Sequence, residues 1–477
     1  MAIALGCLGV IFLGAFVFVY HQSLYHVARS DQLSYLSALG LTHDWYSLAV
    51  STFDLNRKSW FPAGDAGLFR PVLYFLLGNE RYFFEYDYFY WQLTGLVLHV
   101  IACLLLFKVL WRIVPGFGAL FFTVFFAFQF SNLETIIWHH INAYILFTIF
   151  ILLAMDHFLR WTKEGGLSNK IFPMLVLLTL ACFTYEVGLW YCVCFAIMMR
   201  SWRLLLPVWI YAMASISNAF YNTGVFAGGI PGNGLHVYDC LNYFLMTVKW
   251  FICAGLFLAP EDMVFAPRLE VRNDFLIWGG ISGAWSPGDI LALCVILLVG
   301  FAVWRRHRLF KLNGKLQALI LLMLSGYILI IVLGRVANRG LNAGLSNTVY
   351  YLYNFWVLAV IGMFALFQTY HRWKLLFITV LLVLSVYNAM NIHRMNSYMS
   401  NAFREERVFV TFIRGFVHQH QGEHGLSFTV SEHCPGHYAQ MVLAHDGKTQ
   451  KKLTFAQLLY PQYYNEKEPK YIIGAER

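Results

Sequence analysis

Charge is what this chain has least of. Asp, Glu, Lys and Arg make up 12% of its 477 residues, against about 25% in a typical soluble domain. Too little polar surface remains to cover a water-exposed globule of this size. The sequence also lacks a P-loop, a GxSxG elbow, an HExxH helix and a dinucleotide-binding glycine fingerprint. ATP-driven transport and the common hydrolase chemistries therefore have no local support. Its nine cysteines form no CxxC pair and no Cys/His metal spacing. Cys7, Cys103, Cys182, Cys192, Cys194 and Cys294 fall inside apolar runs, where an inert buried thiol is the expectation. Cys240, Cys253 and Cys434 lie outside those runs, and no spacing singles out a disulfide among them.

In place of charge there is one apolar run after another. Hydrophobic residues make up 59% of the chain, and stretches such as 93–110 and 316–333 are long enough to span hydrocarbon. Residues 3–20 have the length of a signal peptide but neither a charged leading region nor a clean small-residue cleavage site, so they read as a first membrane helix. The net charge of +9 does not point to nucleic acid. Its Lys and Arg come in short clusters between the spans: Lys108/Arg112, Arg160/Lys163/Lys170, Arg200/Arg203, Arg305/Arg306/Arg308/Lys311/Lys315 and Arg372/Lys374. Placing every cluster on the cytoplasmic side closes the topology. The expected fold is an all-α polytopic membrane protein with about eleven spans. They fall near 3–20, 92–111, 117–137, 141–159, 171–185, 187–200, 204–221, 288–304, 316–334, 350–370 and 373–390. The expected organisation is a membrane module over 1–391, with large external loops at about 21–91 and 222–287, and a small external domain over 392–477. Within the middle loop, 243–258 reads as re-entrant or interfacial. In the tail, 401–418 reads as a helix and 426–431 as a strand.

One pair of spans is too short. Lys170 and Arg200 share a side, and two crossings between them leave each limb about 15 residues, roughly 22 Å, against a hydrocarbon core of about 30 Å. The turn Thr184-Tyr185-Glu186 is therefore expected below the outer surface. A single long tilted helix would break the charge parity.

Ionisable residues at or in the membrane are functional candidates by default. Asp31, just after the first span, suits a general base as well as a helix cap. The segment from Ser131 to Asn142 carries Glu134, Trp138, His139 and His140. Adjacent histidines point apart on a helix, so interfacial hydrogen bonding is preferred over metal ligation by His139 and His140. Arg335 and Arg339, outside the ninth span against the orientation rule, suit an anionic lipid phosphate, and Arg70 is a candidate of the same kind. The aromatic run 82–91 reads as an interface belt.

These loci also follow a family order. Asp31, then Phe69-Arg70-Pro71-Val72, Leu96-Val97-Leu98-His99, Phe130-Ser131-Asn132-Leu133-Glu134 with Trp138, Tyr185-Glu186, Gly334-Arg335 and Tyr350-Tyr351-Leu352-Tyr353 together resemble the GT-C membrane glycosyltransferases. The closest branch is that of the protein O-mannosyltransferases and the bacterial lipid-linked-sugar transferases. The chain departs from that pattern: Gln32 follows Asp31 where a second acid belongs, Tyr185 stands for a lysine before Glu186, and Val349 stands for an arginine before Tyr350. The resemblance covers about residues 1–390. It implies a GT-C-like transferase that takes a sugar from a polyprenyl-phosphate donor and passes it to an envelope polysaccharide, lipid or protein acceptor on the outer face of a membrane. A bacterial inner membrane with a periplasmic site is the expected setting. Asp31 would be the base, and Arg335, Arg339 and Arg70 would hold the donor phosphate. Glu186, Glu134, His139, Trp138 and Tyr350 would line the sugar and acceptor cavity. No nucleotide cofactor is needed, because the donor is already activated; a divalent metal stays open. The alternatives are an O-antigen ligase or polymerase with a diphosphate-linked donor, and a lipid or polysaccharide transporter.

Overall fold

The computed structural model describes residues 2–26, 45–46, 70–84, 88–164, 168–223, 243–245, 247–252, 290, 294, 297, 314–333, 349–368, 374–402, 428–430 and 471–473. Asp31, Arg335, Arg339, Cys240, Cys253 and Cys434, most of both large loops and residues 403–427 lie outside them.

The apolar runs fold as helices, which satisfy every backbone group within the segment, as lipid demands. They are α1 (Ala2–Tyr20), α2 (Pro71–Phe84), α3 (Tyr88–Ile113), α4 (Phe117–Ala127), α5 (Asn132–Ile137), α6 (Ala143–Glu164), α7 (Ser168–Thr184), α8 (Val187–Met199), α9 (Leu206–Thr223), α10 (Gly314–Ile331), α11 (Leu352–Phe367) and α12 (Lys374–Ala402). Four stretches are long and apolar enough to cross a membrane: Tyr88–Ile113, Ala143–Lys163, Gly314–Ile331 and Lys374–Ser397. The chain is a helical membrane protein. In the tail, β1 (Phe428–Val430) pairs in parallel with β2 (Tyr471–Ile473), Phe428 opposite Tyr471.

Two compact units result. The first comprises Met1–His21, Thr94–Ile137 and Ile141–Met395; the second comprises Gln22–Leu93, Trp138–His140 and Asn396–Arg477.

In the first unit α6 packs along α7, α7 also meets α8 and α9, α8 meets α10, and α11 lies against α10, α4 and α6. Small residues set the closest approaches. A Cβ on Gly188 would come 2.8 Å from Cys182 N, so glycine lets α7 and α8 fold back on each other at the Tyr185–Glu186 turn. A Cβ on Gly326 would land inside the Trp190 indole, whose Nε1 donates to Leu322 O at 2.8 Å. The expected short limbs are thus a real hairpin: α8 has 13 residues, about 20 Å. It ends in a left-handed Arg200 (φ 52°), with Ser201 N donating to Ala196 O at 3.0 Å. That closure is usually made with glycine.

The expected span at 288–304 lies largely outside the described residues; among those described, two expected spans end elsewhere. The third was expected to run to 137, but α4 stops at Ala127. Amides take over the backbone there: Asn132 Nδ2 donates to Phe126 O at 2.7 Å, and Phe130 N donates to Asn388 Oδ1 at 3.1 Å. Side chains that offer such partners end helices. The last span was expected to stop near 390, but α12 continues to Ala402, since neither glycine nor proline occurs between Lys374 and Ala402 to break it.

The second unit is tied by polar contacts. His26 Nε2 donates to Asn396 Oδ1 at 3.1 Å, Gln92 Nε2 donates to His26 O at 3.2 Å, and Ser397 Oγ donates to Gln22 Oε1 at 2.9 Å. Arg70 precedes α2, with Tyr74 N donating to its carbonyl at 3.1 Å and Pro71 at the first helical position, where its missing N–H costs nothing.

Candidate functional site

The connection between α4 and α6 holds a dense group of buried polar side chains in its first-unit part, residues 128–137 and 141–142. Gln129, Ser131, Asn132, Glu134, Thr135 and Asn142 are all buried. The Gln129 amide, the Ser131 and Thr135 hydroxyls, Asn132 Oδ1, both Glu134 oxygens and the Asn142 amide have no hydrogen-bond partner among the described residues. A buried polar group without a partner costs about 1–3 kcal/mol. Six such residues within fourteen positions would be a heavy penalty if they faced only protein or lipid. The arrangement fits a place where water or a polar ligand completes the bonds.

Burial alone pushes the Glu134 carboxyl up to about 8. At neutral pH it is mostly the neutral acid, able both to donate and to accept. The donors and acceptors on offer are amides, hydroxyls and one carboxylic acid, a set that matches a polyol better than an apolar ligand.

Neighbouring elements bring aromatic side chains. α5, which carries Glu134, packs on the 349–351 turn and on α11, and a Cβ on Gly95 of α3 would collide with Ile136 O at the end of α5. Tyr144, at the start of α6, lies 4.8 Å from Tyr185, 5.3 Å from Tyr350 and 5.3 Å from Tyr351, ring centre to ring centre. Tyr185 precedes Glu186, which caps α8 and is half-buried. Tyr327 OH donates to Tyr351 O at 2.7 Å and holds the late turn in place. Three of the sequence candidates, Glu134, Glu186 and Tyr350, therefore sit on elements that meet at one end of this bundle.

Beneath them His99 is a fully satisfied core histidine. Its Nε2 donates to Ala127 O at 3.1 Å, which leaves Nδ1 to accept from Tyr353 OH at 2.7 Å. The carbonyl fixes the tautomer. Phe16, Tyr20 and Phe126 close around the ring.

The other candidates are placed differently. Trp138, His139 and Arg70 belong to the second unit. There His139 lies against Trp91, 5.3 Å between ring centres, buried, with its ring nitrogens unpartnered among the described residues. Burial lowers its pKa to about 3, so it is neutral at physiological pH. α2 carries a further buried acid, Glu80, whose oxygens have no partner among the described residues and whose carboxyl burial holds well above the usual carboxylate range. The His140 side chain, with Asp31, Arg335 and Arg339, lies outside the described residues. Among the described residues no group of three or more His, Cys, Asp or Glu comes together as a metal cluster.

Sequence reading passed over Gln129, Ser131, Asn132, Thr135 and Asn142 as individuals. Their signal was present: polar residues crowd 129–142 between two strongly apolar runs. Tyr144 gave no signal, since tyrosine is common throughout, and Tyr351 stood out only as part of the Tyr350–Tyr353 stretch.

No family model matches the chain, and neither a curated protein nor a solved structure matches it.

Proposed function

We propose that this protein is a polytopic membrane glycosyltransferase of GT-C character. It moves a sugar from a polyprenyl-phosphate donor to an acceptor at the outer, periplasmic face of a bacterial inner membrane. One observation carries the reading: amides, hydroxyls and a neutral acid of 129–142, without partners among the described residues, set beside the tyrosine-rich turns of a largely apolar bundle. Polyhydroxylated ligands need such a set, and aromatic faces stack on sugar rings. The ordered motifs from Asp31 to Tyr353 support the same class.

In this reading the acceptor oxygen attacks the anomeric carbon as the bond from that carbon to the lipid phosphate breaks. The acceptor proton passes to the Asp31 carboxylate, and the polyprenyl phosphate departs with the electron pair. A single displacement inverts the anomeric centre. Arg335, Arg339 and Arg70 are the cations assigned to the leaving phosphate, where charge builds up in the transition state. Glu134, Glu186 and Tyr350 orient the sugar or the acceptor. The full count of about eleven spans belongs to the same proposal.

The test is sugar transfer by purified protein in detergent, with a panel of polyprenyl-phosphate sugars and crude membrane acceptors, comparing wild type with Asp31→Asn. Transfer by wild type and loss in a folded, donor-binding variant supports both class and base. Undiminished transfer by the variant removes Asp31 from the mechanism. Absence of transfer with every donor overturns the class in favour of a ligase with a diphosphate-linked donor or a transporter.

A further inference from the structure

At the end of α3 and α6 remote from the tyrosine cluster, three cations converge on one acid. Lys108 Nζ lies 3.3 Å and Arg160 Nη2 3.0 Å from Asp156 Oδ2, and Arg112 Nε pairs with Oδ1. Lys163 Nζ donates to Arg112 O. The carboxylate side chain is 4% exposed, while Lys108, Arg112 and Arg160 keep 26%, 23% and 38%. The acid faces inward and the cations reach outward.

The cluster carries more positive charge than a self-contained ion pair needs. One cation neutralises Asp156, so three leave a surplus of two. The C-termini of α3 and α6 lie here and contribute about half a negative charge each. A surplus of about one positive charge remains at the end of two membrane-crossing helices, on guanidinium edges with N–H groups that Asp156 does not use. Arginine presents those edges bidentately to phosphate oxygens, and basic recesses between spanning helices suit anionic lipid headgroups.

We propose that the Lys108–Arg112–Asp156–Arg160 cluster seats the phosphate of an anionic lipid headgroup. Asp156 acts as a positioning residue that holds the two guanidinium groups and the ammonium on one side of the α3–α6 pair. This seat is separate from the polar turn at 128–142 and does not depend on the sugar-transfer reading.

The experiment is thermal unfolding and native mass spectrometry of the full chain in mixed micelles containing phosphatidylglycerol, phosphatidylcholine, or phosphatidylcholine plus inorganic phosphate. Phosphatidylglycerol is expected to raise Tm and remain bound through detergent stripping, with phosphatidylcholine having no such effect. The Arg112→Gln/Arg160→Gln variant should need at least tenfold more phosphatidylglycerol for half its stabilisation. Arg160→Lys, which keeps the charge and loses the bidentate edge, should lie between and serves if the double variant does not fold. Equal response to the two lipids by wild type overturns the proposal, as does full phosphatidylglycerol affinity in the variants. A shift reproduced by inorganic phosphate alone overturns the lipid assignment and leaves a small-anion site.

Discussion

Replacing Glu134 by glutamine should remove a loss of stability that wild type suffers as pH rises from about 4.5 to 8. In the unfolded chain the carboxyl loses its proton near 4.5; in the fold, burial holds the proton until about 8. Between those values the unfolded state binds fewer protons than the native state, so stability falls as pH rises. The loss begins near pH 4.5 and is complete above 8. At about 1.4 kcal/mol per pH unit the full interval is worth up to roughly 5 kcal/mol, of which about 4 kcal/mol lies between pH 5 and 8. Glutamine keeps the size and the neutral donor and acceptor but cannot ionise. The assay is thermal unfolding in detergent from pH 5 to 9, wild type beside Glu134→Gln. The two should agree closely near pH 5, and the variant should be the more stable by pH 8.5. Parallel curves across the whole range would refute the claim that Glu134 is a buried, unpaired acid. A wild type that gains stability with rising pH relative to the variant would mean the carboxylate has a cationic partner.

Two further outcomes concern the packing around the site. Gly326→Leu should displace the Trp190 indole from its bond to Leu322 O, costing about 1–3 kcal/mol of stability as overpacking does, with a change in tryptophan emission; unchanged Tm and emission would contradict the close α8–α10 contact. Tyr353→Phe removes the 2.7 Å donor to His99 Nδ1 and leaves a buried acceptor unpaired, at a cost of about 1–3 kcal/mol. A variant as stable as wild type would show that His99 Nδ1 has another partner.

Helix existence was largely legible in the residues, because a long apolar run in a charge-poor chain has few other uses. The expected spans at 171–185, 187–200 and 316–334 lie within a few residues of α7, α8 and α10, and the Lys170–Arg200 spacing was enough to expect a hairpin. What failed was the assumption that apolarity alone carries a helix onward. Leu133, Ile136 and Ile137 extend the apolar pattern past Ala127, but the Asn132 and Asn388 amides take the backbone groups that would have continued it. Asn388 lies on α12, 258 residues further along the chain, and no local window contains both.

The candidate site divides in the same way. Its chemistry was visible as Glu134 among polar neighbours, because a carboxyl between apolar runs is conspicuous wherever it ends up. Its company was not. Tyr144, Tyr185, Tyr350 and Tyr351 are brought together by the packing of α6, the α7–α8 turn and the approach to α11, and ring contacts at 4.6–5.3 Å carry no periodic trace. Asp156 is the sharpest case. By itself it is an acid in a basic stretch of α6, and Lys108 and Arg112 read only as orientation signals. The sequence by itself determined a membrane protein, the clustering of its basic residues between apolar runs and the polar character of 129–142, since hydropathy and charge are local properties. Only the tertiary structure decided that Asp156 gathers three cations and that most polar side-chain atoms of 129–142 find no partner among the described residues, because those depend on which helices become neighbours.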